Sequence, residues 1–276
     1  MKKKNKTVKR IFFIAALMLS AYWAVGNFCI KVQTQTLLSE KITSPVRIVL
    51  VSDLHSSSFG KDNRILKNLI KQQKPDLIFV LGDMYSRYET DRPETAVEFT
   101  TALTEYAPVY FVSGDHDYSD KYFKALEDGG VNVLNFEKSD ITVNGNELSI
   151  YGIRSEWFSP TFSLNNAFEP AEENRLNILL AHCPYMEKYK GFENLDFVFS
   201  GDTHGGMIRL PLSGPVYYNG SIMPKFTYSG KMYDKGLYNV GGTQLFVTSG
   251  VGNYPLPLMF NNRPEIVTIY LLPKSQ

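Results

Sequence analysis

From Val46 onward, short apolar runs alternate with segments of helical periodicity. Val46 to Ser52 is almost solidly apolar, as expected of a strand buried on both faces. Asn63 to Gln73 carries apolar residues at 65, 66, 69 and 70, a helical spacing. Asp76 to Leu81 is a second buried run, and Glu94 to Tyr106 reads as a helix after Pro93. Val109 to Ser113 predicts a third strand, and Lys121 to Glu127 a helix closed by Gly129-Gly130. The texture then changes. Val131 to Ile153 reads as consecutive strands, with Asn144-Gly145 as a tight hairpin turn. Leu176 to Ala181 and Asp196 to Ser200 are again short strands, separated by a helix near Tyr185 to Tyr189. Thr243 to Leu272 reads as strands broken by Gly and Pro. No internal repeat interrupts the series. It predicts one α/β domain with mixed sheets over residues 46–276.

The first 31 residues follow another rule. Ile11 to Ile30 are twenty consecutive uncharged residues, the length a helix needs to cross a bilayer. Cations cluster before this segment. The positive-inside rule places the N-terminus in the cytoplasm and the body outside it, as a single-pass membrane protein. A cleaved signal peptide is the other reading, because Ala24-Val25-Gly26 offers a small-x-small site; the body would then be secreted. Residues 32–45 are polar and read as a tether.

Charge sharpens this division. The formal net charge of +1 combines a leader with seven cations and no acid and a body with 22 cations against 28 acids. An acidic body argues against nucleic acid as a partner. The two cysteines, Cys29 and Cys183, do not form a disulfide framework.

Candidate chemistry sits at the strand ends, where open α/β sheets place their sites. The first strand ends in Asp53-Leu54-His55, the second in Gly82-Asp83 and the third in Gly114-Asp115-His116-Asp117. Later strands end in Ala181-His182-Cys183-Pro184 and Gly201-Asp202-Thr203-His204-Gly205-Gly206. All four histidines of the chain occupy these five ends. One such end would be read as a helix cap or a core histidine. Five together suit divalent metals with mixed nitrogen and oxygen ligands.

This ordered set resembles the calcineurin-like metallophosphoesterase superfamily. Its pattern is Asp-x-His, Gly-Asp, Gly-Asn-His, a lone His, then Gly-His-x-His. His204-Gly205-Gly206 leading into Ile208-Arg209-Leu210-Pro211, with Lys235-Gly236-Leu237-Tyr238 and Pro264-Glu265-Ile266, is similar to a bacterial membrane-associated branch. That branch includes proteins similar to UDP-2,3-diacylglucosamine pyrophosphohydrolases. The resemblance implies a four-layer α-β-β-α sandwich of two mixed sheets, here preceded by one transmembrane helix. It implies two divalent metal ions. Asp53, His55 and His204 would bind the first, Asp83 would bridge, and Asp115, His182 and Asp202 would bind the second. His116 would be the general acid, oriented by Asp117. The implied activity is hydrolysis of a phosphoester or pyrophosphate bond by metal-activated water. A phosphorylated or diphosphate substrate, lipid-linked ones included, would be the partner; monoester, diester and pyrophosphate stay open, as does the oligomeric state.

Two positions depart from the family pattern: Asp115 stands for its Asn, and Asp202 for the first His of Gly-His-x-His. Both put a carboxylate in the second metal site. Mn²⁺, or Mg²⁺ and Ca²⁺, should then be favoured there over Zn²⁺, with Fe also compatible. A non-catalytic metal- or phosphate-binding relative with an attenuated second site is the competing reading, and a phosphoprotein phosphatase is a third. Arg154, Arg209 and Lys225 are candidate phosphate contacts. Tyr217, Tyr218, Tyr228, Tyr233 and Tyr238, with Phe226, could wall a binding cavity or simply pack the tail. Trp157-Phe158 with Phe162 and Phe168 could form a cap toward the membrane or a loop core.

Overall fold

A computed structural model of the chain describes residues 2–86, 93–154, 163–189 and 191–274. It opens with helix α1 (Lys2–Phe28). Strand β1 (Lys31–Ser39) follows directly. The stretch read as a tether is therefore largely a strand. Its Gln and Thr residues suit an exposed edge, and Leu37 alone of the nine is buried.

Sheet one has the order β1, β16 (Glu265–Pro273), β2 (Val46–Val51), β3 (Leu77–Val80), β4 (Val109–Phe111), β5 (Asn132–Val133). β16 runs parallel to β1 and antiparallel to β2, and the rest are parallel. Sheet two has the order β14 (Gly236–Val240), β15 (Thr243–Val247), β9 (Phe197–Ser200), β8 (Leu176–Leu180), β7 (Asn146–Gly152), β6 (Glu137–Val143). Its central four strands are parallel and its two edge strands antiparallel. β6 and β7 meet at Asn144-Gly145, both with positive φ, as a tight hairpin of that sequence requires.

The period of two decides the layering. In β2, Ile48 and Leu50 point into the core between the sheets, while Val49 and Val51 face the helices outside. Phe79 of β3 and Phe199 of β9 meet across the inner core, ring centroids 6.0 Å apart. On the outer face of sheet one lie α2 (Arg64–Gln72), α3 (Pro93–Ala102) and α4 (Asp120–Asp128). The outer layer of sheet two is thinner among the described residues. It consists of α5 (Met186–Tyr189) and irregular chain carrying Leu164, Phe192 and Leu195. The expected two mixed sheets and their order of layers are present. β14 had no apolar run to announce it, because its residues alternate between half-buried and exposed.

Between β9 and β14 the chain forms two small ladders, β10 (Arg209–Leu210) with β11 (Gly214–Pro215) and β12 (Tyr217–Tyr218) with β13 (Ser221–Ile222), then the short helix α6 (Pro224–Thr227).

Candidate metal centre

Parallel strands deliver their C-terminal ends to one side, so β2, β3, β4, β8 and β9 present their following residues to a common edge. The five motifs meet there. His55 Nε2 lies 3.1 Å from His204 Nε2 and 3.5 Å from Asp83 Oδ2. His204 Nε2 is 3.8 Å from Asp53 Oδ1. His182 Nε2 is 3.4 Å from Asp83 Oδ2 and 3.8 Å from Asp202 Oδ1.

Backbone geometry at this edge is strained. Asp53, His55, Asp83, Asp202 and His204 all adopt positive φ, between 46° and 70°. For side-chain-bearing residues this conformation is uncommon, and it concentrates at functional sites. Glycines make the crowding possible. A Cβ on Gly114 would fall 2.0 Å from Asp83 Oδ1, and one on Gly201 would fall 2.1 Å from Ser52 Oγ.

The donor set suits divalent cations. Among the described residues, four groups of ligand atoms lie close enough to share an ion: Asp53, His55 and His204; His55, Asp83 and His116; Asp53, Asp83 and His182; and Asp115, Cys183 and Asp202. His182 Nδ1 lies 2.7 Å from the Leu81 carbonyl, which fixes it as the protonated nitrogen. Its Nε2 is buried and has no hydrogen-bond partner. Burial works against charge on both Asp83 and His182. Their mutual attraction outweighs it, holding the carboxyl below its usual range and the imidazole above its own. A proton thus balances the buried carboxylate, a role a cation can take. Burial and the neighbouring His204 push His55 down to about 2, so its ring is neutral, as a ligand must be. Burial raises Asp202 to about 7, with Asp53 and Asp115 adding to the effect against His182.

All seven sequence-predicted ligand positions converge, with one shift in grouping. Asp115 is exposed and gathers with Asp202 and Cys183, while His182 gathers with Asp53 and Asp83. Cys183, 3% exposed, entered through its position beside His182 rather than through a Cys-x-x-Cys pattern; it and Cys29 are not disulfide-bonded. His116 lines the cavity, and its backbone N–H donates to Asp83 Oδ1 at 2.8 Å. The carboxylate of Asp117 accepts the backbone N–H groups of Asp83, Met84 and Gly114 at 2.6, 3.1 and 3.0 Å. It ties the ends of β3 and β4 together. Burial and the charge of Asp83 push it up to about 7.

The site opens into a cavity of about 660 Å³. Tyr217, Tyr218, Tyr228 and Tyr233 line it as the aromatic wall; Tyr238 and Phe226 do not. Tyr238 instead donates to Asp234 Oδ1, and Phe226 is exposed. The three candidate phosphate cations lie elsewhere. Arg209 pairs with Asp234 and Gly205 O, Lys225 caps Leu212 O, and Arg154 lies over the Phe123 ring. Among the described residues, Lys188 and Lys231 are the cations that line the cavity. Phe168 packs against Tyr151 and Phe192, in a loop core; Trp157, Phe158 and Phe162 lie outside the described residues. Tyr254 gave no signal in the sequence. Its ring stacks on His55 at 4.5 Å and meets His116 edge-on at 5.0 Å.

Comparison with known proteins identifies the family. Residues 46–206, more than half of the chain, match the calcineurin-like phosphoesterase family. A metallophosphoesterase of Helicobacter pylori strain J99 is 27% identical over all of this chain and 73% of its own length. Phosphodiesterase YaeI of Escherichia coli is 28% identical over 83% of each chain. A transmembrane protein with metallophosphoesterase domain from Bos taurus is 27% identical over 82% of this chain and 53% of its own.

Proposed function

We propose that this chain, which belongs to the calcineurin-like phosphoesterase family, is a two-metal phosphodiesterase held at a membrane by α1. The observation that carries this reading is the convergence of Asp53, His55, Asp83, His182, Asp202 and His204 on one cavity edge, with a buried imidazole nitrogen left without a hydrogen-bond partner. The relative named a phosphodiesterase supports the diester class.

Asp53, His55 and His204 would hold one divalent ion, Asp83 would be shared, and His182, Asp202 and Asp115 would hold the second. Ions so held lower the pKa of water and neutralise phosphoryl charge. The remaining work falls to this chain's own groups. His116, anchored through its backbone to Asp83, protonates the departing oxygen. Tyr254 braces the rings of His55 and His116. The tyrosine wall receives the apolar part of the substrate, and Lys188 and Lys231 attract its anionic part. The cations in the first turns of α1 favour an orientation with the body on the far side of the membrane from the cytoplasm, and a transmembrane relative is consistent with that tether.

The direct test is hydrolysis of bis-p-nitrophenyl phosphate by folded protein with added Mn²⁺. Turnover that Asp83→Asn abolishes is expected; absence of turnover with every divalent metal sinks the reading. One observation favours a second reading, a metal-binding relative with an attenuated second site: exposed Asp115 gathers with Asp202 and Cys183, in a group that does not include Asp83. Two bound metals per chain with turnover support the enzyme, and one without turnover supports the alternative.

A further inference from the structure

The apolar helix does not end in a free tether; its last turns are bound to the body. Tyr22 Oη donates to Asn261 Oδ1 at 2.6 Å, and Trp23 Nε1 donates to the Pro257 carbonyl at 2.8 Å. Asn27, fully buried, donates to the Met259 carbonyl and accepts the Met259 N–H. The helix end and residues 257–261 are thus one unit.

Length then fixes depth. The apolar span Val8–Phe28 has 21 residues, about 32 Å at 1.5 Å per residue, close to the hydrocarbon thickness of a bilayer. A spanning α1 has no turns to spare outside the membrane. Tyr22 precedes Phe28 by six residues, about 9 Å along the axis. Whatever is bonded to Tyr22 and Trp23 is carried to that level.

The bonded segment is dressed for it. Leu256, Leu258 and Phe260 are exposed, and Phe260 packs against the Tyr22 ring. Beside them, Arg209 N–H donates to the Phe260 carbonyl at 2.9 Å, and the turn after β10 holds out Leu212, 95% exposed. Contiguous exposed apolar groups on a body mark an interaction surface. The same segment reaches the metal centre: Tyr254 and Pro255 line the cavity, and Asn262 donates to the His204 carbonyl at 2.6 Å.

We propose that residues 256–260 and the turn at Leu212 insert into the headgroup and upper acyl region of the bilayer spanned by α1, so that the cavity mouth opens onto the membrane surface. The occupant of this apolar surface is the lipid bilayer, chosen by its continuity with α1. The inference rests on the membrane-tethered reading above and narrows its substrate to phosphoesters presented in the plane of a membrane.

Depth-dependent quenching in the full-length chain tests it. Single cysteines in a Cys29→Ser, Cys183→Ser background (Leu256→Cys, Leu258→Cys, Leu212→Cys and Tyr217→Cys at the cavity wall) carry a fluorophore. The chain sits in phosphatidylcholine–phosphatidylglycerol vesicles containing headgroup-proximal doxyl lipid. Leu17→Cys reports helix insertion, and Asn144→Cys, at the opposite sheet edge, reports the aqueous baseline. Strong loss of fluorescence at 256, 258, 212 and 217 is expected, with none at 144. Quenching at 17 with 256 and 258 at the level of 144 overturns the proposal and leaves the anchor intact. Quenching at 256 and 258 without 217 overturns the placement of the mouth. No quenching at 17 removes the anchor reading and this inference with it. None of these readouts needs turnover, so failure of the hydrolase assignment shows separately in the diester assay.

Discussion

His116 and Asp117 are neighbours in sequence with different work to do. The His116 ring stands among His55 and Tyr254 at the cavity, whereas the Asp117 carboxylate collects three buried backbone N–H groups. The role of Asp117 as the orienter of His116 stays a proposal; its three bonds fix the two loops on which Asp83 and His116 sit. The consequences of removing each differ. His116→Ala should leave the melting temperature nearly unchanged and lower kcat by about 10²–10⁴ for alkyl leaving groups. The loss should be far smaller for p-nitrophenolate, which departs without a proton. A uniform loss across leaving groups would argue against a general acid. Asp117→Ala leaves buried donors unpartnered, each costing about 1–3 kcal/mol, so chemical denaturation should register about 3 kcal/mol or more. Most of this centre was legible because strand-end Asp and His residues are a sequence-local signal. Tyr254 was not, since it lies fifty residues beyond the last motif and only tertiary packing brings it to His55.

At the scale of elements, apolar runs of four to seven residues identified the buried strands, and strands dressed otherwise went unread. β1 is the case with consequences. Its Lys-Val-Gln-Thr-Gln-Thr-Leu-Leu-Ser sequence looks like a linker because an edge strand buries one side chain in nine. Its backbone nonetheless pairs with β16 along the whole length of both strands. The small-x-small site ends at Gly26, so a cleaved form would begin at Asn27 and keep β1. A truncation beginning at Asn27 should therefore fold with a melting temperature close to that of the full chain. One beginning at Pro45 loses Leu37 and uncovers the β16 edge. Burial of a leucine alone is worth about 2–5 kcal/mol, and about 2–4 °C accompanies each kcal/mol in a domain of this size. The Pro45 form should melt about 5–15 °C lower or aggregate through its bare edge. Equal melting temperatures would return residues 31–39 to the status of a tether.

Across the whole molecule, the net charge of +1 resolves into a +7 leader and a −6 body. Five of the body's acids, Asp53, Asp83, Asp115, Asp117 and Asp202, crowd the edge where β2, β3, β4 and β9 end. Without a cation this crowding is relieved by protons: His182 is held charged against Asp83, and burial lifts Asp202 to about 7. Divalent ions should relieve it better, because two charges replace one and nitrogen lone pairs are used. Ligand binding at one hundred times Kd adds about 2.7 kcal/mol to stability, so saturating Mn²⁺ should raise the melting temperature by about 5–10 °C, reversed by chelation. The two carboxylates at positions 115 and 202 should also decide which ion is preferred. The paired substitution Asp115→Asn with Asp202→His removes two negative charges and adds a nitrogen donor. It should shift both the thermal stabilisation and the turnover from Mn²⁺ toward Zn²⁺. If the order of metals is unchanged in both readouts, charge at these two positions does not set metal choice, and the ligand set around Asp53, Asp83 and His182 does.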